Sequence, residues 1–557
     1  MLMSSLYLGL DSSTQGIKAS LISSKSLGTI IHHRTVNYDR DLPHYKTTGG
    51  MHVDGAQVKS PVLMWLEALD MLLQHLVDDQ NQGTSTSGQP YHMSNVVAIS
   101  GSGQQHGSVY WSNGASENLS SLDPNVSLAI QLGFSFATLE CPIWADSSTG
   151  AQCAALELAM GGPAKVAAVT GSRAYERFTG NQIAKIYQEE KETVYDKCEH
   201  ISLVSSFMCS LFIGKYAPVD TSDGSGTNLN QLLSEQGTTW CDEALQACGG
   251  KTLRDKLGAA MVPAHTYVGN VSNYFVYRYG FSASCEIIAW SGDNPCSLAG
   301  LGLQQVGDIA VSMGTSDTMF TMMEKATPGN DGHVLRNPVD PNSFMGMLCF
   351  KNGSLAREDM AKELCGGDWV KFGEMLKQTP PGNDGNLGFY YPSSEITPTT
   401  GSHGGIQRFG PDGKSLDTSF SNPAHDVRAV LEGKFLAMRH FGEGIGMDTS
   451  TARRIIATGG ASNNVAILQV LSDVFGCPVY TLKQSDSASL GAAFRALHGH
   501  VCHVSNSFIK YEHVIPVDAL GYRLACEPKE GTAEVYTQIL PRFAQHQKHF
   551  ASQLLGK

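Results

Sequence analysis

The chain has 557 residues, too many for one hydrophobic core, so two or more domains are expected and a single small binding module is excluded. Hydrophobic residues at 41% exclude general disorder, and 16% charged residues with 59 glycines indicate much buried interior and many tight turns. A net charge of -13 repels a phosphate backbone, so nucleic acid is not expected as the main partner.

The 13 cysteines form no C-x-x-C pair, which argues against a zinc ribbon or a disulfide scaffold and for reduced thiols in the cytoplasm. The sequence contains no apolar run long enough to span a bilayer and no signal-peptide pattern at its start, so neither a membrane partner nor export is expected.

In chain order, Leu6 to Leu10 reads as a strand, Asp11-Ser12-Ser13-Thr14-Gln15-Gly16 as a polar turn, and Ile17 to Ile22 as the returning strand of a hairpin. Val62, Leu66, Leu69, Leu73 and Leu76 follow near helical spacing within a helix read over 58–77, and 80–89 reads as an exposed loop. Val96 to Ile99 is a short buried strand running into Ser100-Gly101-Ser102-Gly103-Gln104-Gln105-His106-Gly107. Glu286 to Trp290 is another strand, entering Ser291-Gly292-Asp293-Asn294-Pro295 and a small-residue helix from Cys296 to Gly300. A domain boundary at this helix divides 1–297 from 298–557.

The hairpin pattern then returns. Ile309 to Met313 leads into Gly314-Thr315-Ser316-Asp317-Thr318 and a second strand, Met319 to Met322. A loop rich in Pro, Gly, Ser and Thr is read over 380–405, then a helix after Asn422-Pro423. Arg454 to Thr458 is a strand meeting Gly459-Gly460-Ala461-Ser462-Asn463-Asn464, and a helix from Val465 to Phe475 closes at Gly476. Strands alternating with helices give an α/β class.

Small residues at a hairpin tip let backbone N–H groups and hydroxyls approach phosphate oxygens, so Ser13, Thr14 and Gln15 are candidate phosphate ligands and Asp11 a candidate Mg²⁺ holder through water. An ordinary polar turn is the plainer alternative, and the recurrence at Gly314-Thr315-Ser316 favours the ligand reading. Gly459, Gly460 and Asn463 fit a nucleoside site at a strand-to-helix junction, against a plain helix cap by Ser462 or Asn463. Asp293, where a strand meets a helix, is the candidate general base, with an N-cap aspartate as the alternative. His106 among glutamines suits a polyol, or a structural hydrogen bond. Arg173 and Arg177 would share one face at helical spacing, free to bind a ligand or to pair with neighbours such as Glu176.

Other signals fail. Gly250-Lys251-Thr252 and Gly413-Lys414-Ser415 lack the first glycine of a P-loop, the glycines at 101–107 do not match the dinucleotide fingerprint, and neither H-E-x-x-H nor G-x-S-x-G occurs.

Together, Leu8 to Gln15, Gly292 to Pro295, Val311 to Asp317 and Gly459 to Asn463 resemble the FGGY carbohydrate kinases, over about Leu6 to Arg542. Gly103 to Gly107, Ile143 to Thr149, Ser172 to Gly180 and Ser222 to Gly226 resemble the eukaryotic xylulose-kinase branch of that family. The resemblance implies two ribonuclease-H-like, actin-type ATPase domains with a central cleft, and an enzyme that uses ATP and Mg²⁺ to phosphorylate D-xylulose. Its partners would be these small molecules, as a monomer or homodimer. It also implies that His106, Arg177, Asp293 and Asn294 contact the sugar, with Asp293 as base. Gly314, Thr315 and Ser316 would approach the ATP phosphates, and Trp369, Gly459, Gly460 and Asn463 would line the adenosine site. A kinase for ribulose, glycerol or another polyol, or a non-catalytic actin-like ATP-binding protein, are the alternatives.

Overall fold

The computed structural model describes residues 5–482 and 486–556. Contacts divide the chain into two units. Unit 1 is Met1–Gln304, Leu335–Asn342 and Gln484–Leu520; unit 2 is Gln305–Val334, Ser343–Lys483 and Gly521–Lys557.

Unit 1 is built on a sheet containing β1 (Leu6–Ser12), β2 (Gly16–Ser23), β3 (Ile30–Asn37), β4 (Val96–Gly103), β5 (Tyr267–Asn270) and β6 (Glu286–Ile288). Their spatial order is β5-β6-β4-β1-β2-β3. The strands β1, β2 and β3 pair antiparallel, β4 runs parallel to β1, and β6 runs parallel to β4. Every residue of β1 is buried, as expected for a strand covered on both faces, which explains its nearly continuous apolar run.

Unit 2 repeats this plan. Its sheet contains β7 (Asp308–Met313), β8 (Asp317–Met323), β9 (Phe344–Phe350), β10 (Arg454–Thr458), β11 (Val479–Thr481) and β12 (Arg523–Cys526), in the order β9-β8-β7-β10-β11-β12. β7, β8 and β9 pair antiparallel, while β10 runs parallel to β7 and β11 parallel to β10. In each unit the hairpin tip and the end of the neighbouring parallel strand therefore emerge at the same edge, where α/β sheets place ligands.

The helix Ser487–Val504 lies far along the chain yet belongs to unit 1. Small residues cause this. A Cβ at Gly9 would stand 2.1 Å from the Ser489 carbonyl oxygen, and one at Gly491 only 1.8 Å from that of Cys296. Bare glycine surfaces let this helix press against β1 and against the helix Asp293–Gly300, and the Lys18–Asp486 ion pair at 2.7 Å closes its start.

Two readings of the sequence need correction. The segment 380–405 is not all loop, because Leu387–Tyr391 is a fully buried strand paired antiparallel with Gly405–Phe409. Aromatic packing overrides the surrounding turn residues, with Phe389 5.0 Å from Phe543 between ring centroids. The first long helix spans Val62–Asn81, starting later than its periodicity suggests, since Gln57–Pro61 is taken into a strand paired with Glu140–Pro142. Among the described residues no helix is long and apolar enough to cross a membrane.

Candidate functional site

In unit 1 the end of β1, the end of β4 and the start of the helix Asp293–Gly300 bring three sequence motifs together. Asp11 is buried at the end of β1, where its carboxylate accepts hydroxyl hydrogen bonds from Ser102, at 2.6 Å, and from Ser13. Burial raises the Asp11 pKa above the usual carboxylate range despite these donors. The tip closes through Ser13 N–H to the Gly16 carbonyl at 3.0 Å. Thr14 Oγ1 donates to Gln104 Oε1 at 3.2 Å and accepts from the half-exposed Trp144 indole at 2.8 Å, while the Gln15 side chain is exposed.

Asp293 is the first residue of its helix, and Gly292 rather than Asp293 is the N-cap. The carboxylate instead gathers donors on one side: Oδ1 accepts from Asn294 N–H at 3.0 Å, the Asn294 amide at 3.2 Å and Gln105 N–H at 3.3 Å. Oδ2 makes no hydrogen bond among the described residues. Burial first and the Asp11 charge second push the Asp293 pKa up to about 7, so the carboxylate is poised to take a proton near neutral pH.

His106 sits at φ 70°, in the left-handed region. Nδ1 lies 2.8 Å from the Gly226 carbonyl oxygen, which can only accept, so Nδ1 carries the hydrogen and the neutral ring leaves Nε2 as an acceptor. Burial and the nearby Arg177 charge pull its pKa down to about 3, which keeps the ring neutral. The ring stacks on Phe178 at 4.5 Å, and the Arg173 and Arg177 guanidinium groups lie 4.6 Å and 4.9 Å from the Tyr175 ring centroid. The residues 172–178 are not helical, so these two arginines converge through a shared aromatic ring and not through helical spacing.

Unit 2 holds a cavity of about 1360 Å³ lined by Gly314, Thr315, Trp369, Gly460 and Asn463, among others. All five are residues that the motifs or the family resemblance assign to the nucleotide. Ser316, which is exposed, and Gly459 are not part of the lining. Gly459 has φ 82° and a Cβ there would stand 2.5 Å from the Met313 carbonyl oxygen, so it lets β10 leave the sheet beside the end of β7. Asn464, not Ser462 or Asn463, caps the helix Val465–Phe475, accepting from Ala466 N–H at 3.0 Å. This leaves Gly460 and Asn463 in a short turn at the cavity wall. Trp369, capped into a helix by Asp368, keeps 39% of its surface exposed and is no core residue.

Several partners escaped sequence reading. Ser102, which binds Asp11, is unmarked in the strand end that carries His106, and Gln105 stands out there only as a polar neighbour of His106, not as a partner of Asp293. Arg357 forms a buried two-pronged pair with Asp317, through Nη1 at 2.5 Å and Nη2 at 2.8 Å, fixing the base of the second hairpin tip. Nothing local marks Arg357, since its partner lies on another element.

The comparisons agree along the whole chain. Residues 309–500 match the C-terminal domain of the FGGY family of carbohydrate kinases. The chain is 46% identical over 551 residues to a xylulose kinase of Rattus norvegicus, covering 99% of this chain and 98% of the relative. It is also 46% identical over 545 residues to xylulose kinase 2 of Arabidopsis thaliana, covering 95% and 94% respectively. Among solved structures, a xylulose kinase from Rhodospirillum rubrum aligns with a TM-score of 0.74 at 18% identity, over 99% of each chain. Plasmodium falciparum glycerol kinase with ADP aligns with a TM-score of 0.71 at 14% identity, over 98% of each. These two likenesses are of fold alone.

Proposed function

Since this chain belongs to the FGGY family of carbohydrate kinases and has their α/β, actin-like ATPase fold, we propose that it transfers the γ-phosphoryl group of ATP to D-xylulose, giving D-xylulose 5-phosphate. The 46% identity to enzymes named xylulose kinase supports the choice of sugar. The single observation that carries the chemistry is Asp293, with one oxygen held by three N–H groups and the other unengaged.

In this reading Asp293 Oδ2 accepts the proton of the sugar C5 hydroxyl as that oxygen attacks the γ-phosphorus in line, and ADP leaves with the electron pair of the broken P–O bond. His106 Nε2 and the Asn294 amide oxygen accept from sugar hydroxyls, while Arg177 donates to another. On the donor side, Ser13, Thr14 and Gln15 of the first tip and Gly314, Thr315 and Ser316 of the second offer N–H groups and hydroxyls to the phosphates. Trp369, Gly460 and Asn463 form the adenosine site, with Gly459 turning the backbone into it and the indole face available for stacking.

The donor set around Asp11, one buried carboxylate among hydroxyls, fits Mg²⁺ held through its waters. When bound, the ion would neutralise charge on the transferring phosphates. Asp11 would hold it, with Ser13 and Ser102 keeping that carboxylate in place.

Purified protein with ATP, Mg²⁺ and a panel of D-xylulose, D-ribulose and glycerol tests the reading. ADP formation with a kcat/KM for D-xylulose at least about 100-fold above the others is expected for a site that hydrogen-bonds each hydroxyl. Equal rates with glycerol, or none with D-xylulose, would overturn it.

A further inference from the structure

We propose that Asp223 is a positioning residue of the sugar site, holding the Gln105 carboxamide, and through it the Asn294 amide and the Asp293 carboxylate, in one orientation. The inference rests on the reading of Asp293 as base.

Asp223 is buried in unit 1, in the short helix Thr221–Gly224, which Asp220 caps by accepting from Asp223 N–H at 3.0 Å. Its Oδ2 is bonded to the Ser205 hydroxyl at 2.5 Å, and its Oδ1 accepts from Gln105 Nε2 at 3.5 Å. Gln105 in turn presents Oε1 to the Asn294 amide at 2.8 Å, and its backbone N–H donates to Asp293 Oδ1.

This arrangement has a polarity. A carboxamide donates at one end and accepts at the other, and the acceptor at Asp223 turns the NH₂ of Gln105 inward and its oxygen toward Asn294. The NH₂ of Asn294 must then face Gln105 and Asp293 Oδ1, at 2.8 Å and 3.2 Å, which leaves the Asn294 oxygen and Asp293 Oδ2 for the sugar. Reversing Gln105 would set one NH₂ against another and release the Asp293 carboxylate to rotate.

The packing leaves little freedom for the alternative. A Cβ on Gly292, the residue before Asp293, would stand 2.3 Å from Gln105 Cγ and 2.8 Å from Asp223 Oδ1. Beneath Asp223, Asp220 accepts from the Ser291 hydroxyl at 3.0 Å and faces Arg495 at 3.7 Å, tying this turn to the strand end before Asp293 and to the helix Ser487–Val504. Burial first and the Asp220 charge second push the Asp223 pKa up to about 8, so it is mostly protonated at neutral pH. The Ser205 hydroxyl, which donates to Oδ2 when Asp223 is ionised, turns to accept when Oδ2 carries the proton, while Oδ1 still accepts from Gln105. An asparagine amide reproduces both bonds.

The test is a kinetic cycle on the full-length protein, with nucleotide binding to unit 2 as a control for folding. Asp223→Ala should lower kcat about 30-fold, as a misplaced reacting group does, with the KM for ATP unchanged. The same substitution in a Gln105→Ala background should cost less than about 2-fold, because the pathway is already cut. Asp223→Asn should recover kcat to within about 3-fold of wild type. Costs that multiply in the double variant, or an Asn variant as impaired as Ala, would overturn the inference and leave the kinase reading intact. Wild-type protein that turns over no sugar would remove both. If Asp223→Ala does not fold, Ser205→Ala enters the same cycle, with a smaller loss that must again vanish with Gln105→Ala.

Discussion

The charge of Asp11, at the end of the first strand, acts on Asp293, which opens a helix far along the chain, and after burial it is the largest influence raising the Asp293 pKa to about 7. Asp11 is itself raised by burial. Each acid therefore costs free energy to ionise in the folded protein, and that cost is what makes Asp293 a stronger base than a carboxylate in water.

A base works only when deprotonated. We therefore expect kcat/KM for D-xylulose to rise with pH with unit slope up to an inflection near 7, then level off, when measured from pH 5.5 to 9. Asp293→Asn should lower turnover about 10³-fold or more while retaining the binding of an ATP analogue. Near wild-type turnover in that variant would remove Asp293 from the role.

The same shift predicts stability. A carboxyl whose folded pKa lies above its unfolded value of 3.8 contributes least to stability at high pH: stability falls as pH rises from the unfolded value through the folded one, here about 7 for Asp293 and about 8 for Asp223. Asp293→Asn should therefore be more stable than wild type at pH 8, and the gap should shrink by about 2 kcal/mol at pH 5, after allowing for solvent screening. Denaturant titration at both values checks this, and a gap that widens toward pH 5 would contradict it.

Because the proposed sugar contacts belong to unit 1 and the proposed adenosine contacts to unit 2, sugar and nucleotide affinities should separate. His106→Ala should raise the KM for D-xylulose about 10-fold or more, since a hydroxyl loses its buried acceptor, and leave the KM for ATP unchanged. Trp369→Ala should do the reverse through lost stacking. Trp65, Trp111, Trp240 and Trp290 are buried and Trp144 and Trp369 are exposed, so fluorescence quenching by added nucleotide should be diminished in Trp369→Phe measured in a Trp144→Phe background.

Arg357 and Asp317 form a buried pair, with side chains 2% and 0% exposed. Arg357→Met strands the carboxylate and should destabilise unit 2 by about 3–5 kcal/mol, whereas adding Asp317→Leu should recover most of the loss. Equal melting of single and double variants would show that the pair is not the cause.

The second tip was legible as a motif because its small residues, Gly314, Thr315 and Ser316, sit between two apolar strands, a pattern complete within a dozen residues. Gly459 and Gly460 were legible for the same reason. The role of Asn464 as cap was not, since three polar residues in succession could each have served and only the turn geometry selects one. Leu387–Tyr391 was hidden because its neighbours in sequence are turn formers, while its partners are the distant strand Gly405–Phe409 and aromatic rings near the C-terminus.

The sequence by itself determined the two hairpins, the strands beside them, the glycine turns and the presence of His106, Asp293 and Asn294 at strand ends, because alternation and backbone freedom act over a few residues. Tertiary structure alone decided that the helix Ser487–Val504 returns to unit 1 and that Arg173 and Arg177 share one ring. It also decided that Asp223 reaches Gln105, and that Asp293 titrates near neutrality. Those outcomes depend on which surfaces exclude water from one another across hundreds of residues, and burial, unlike periodicity, is a property of the folded whole.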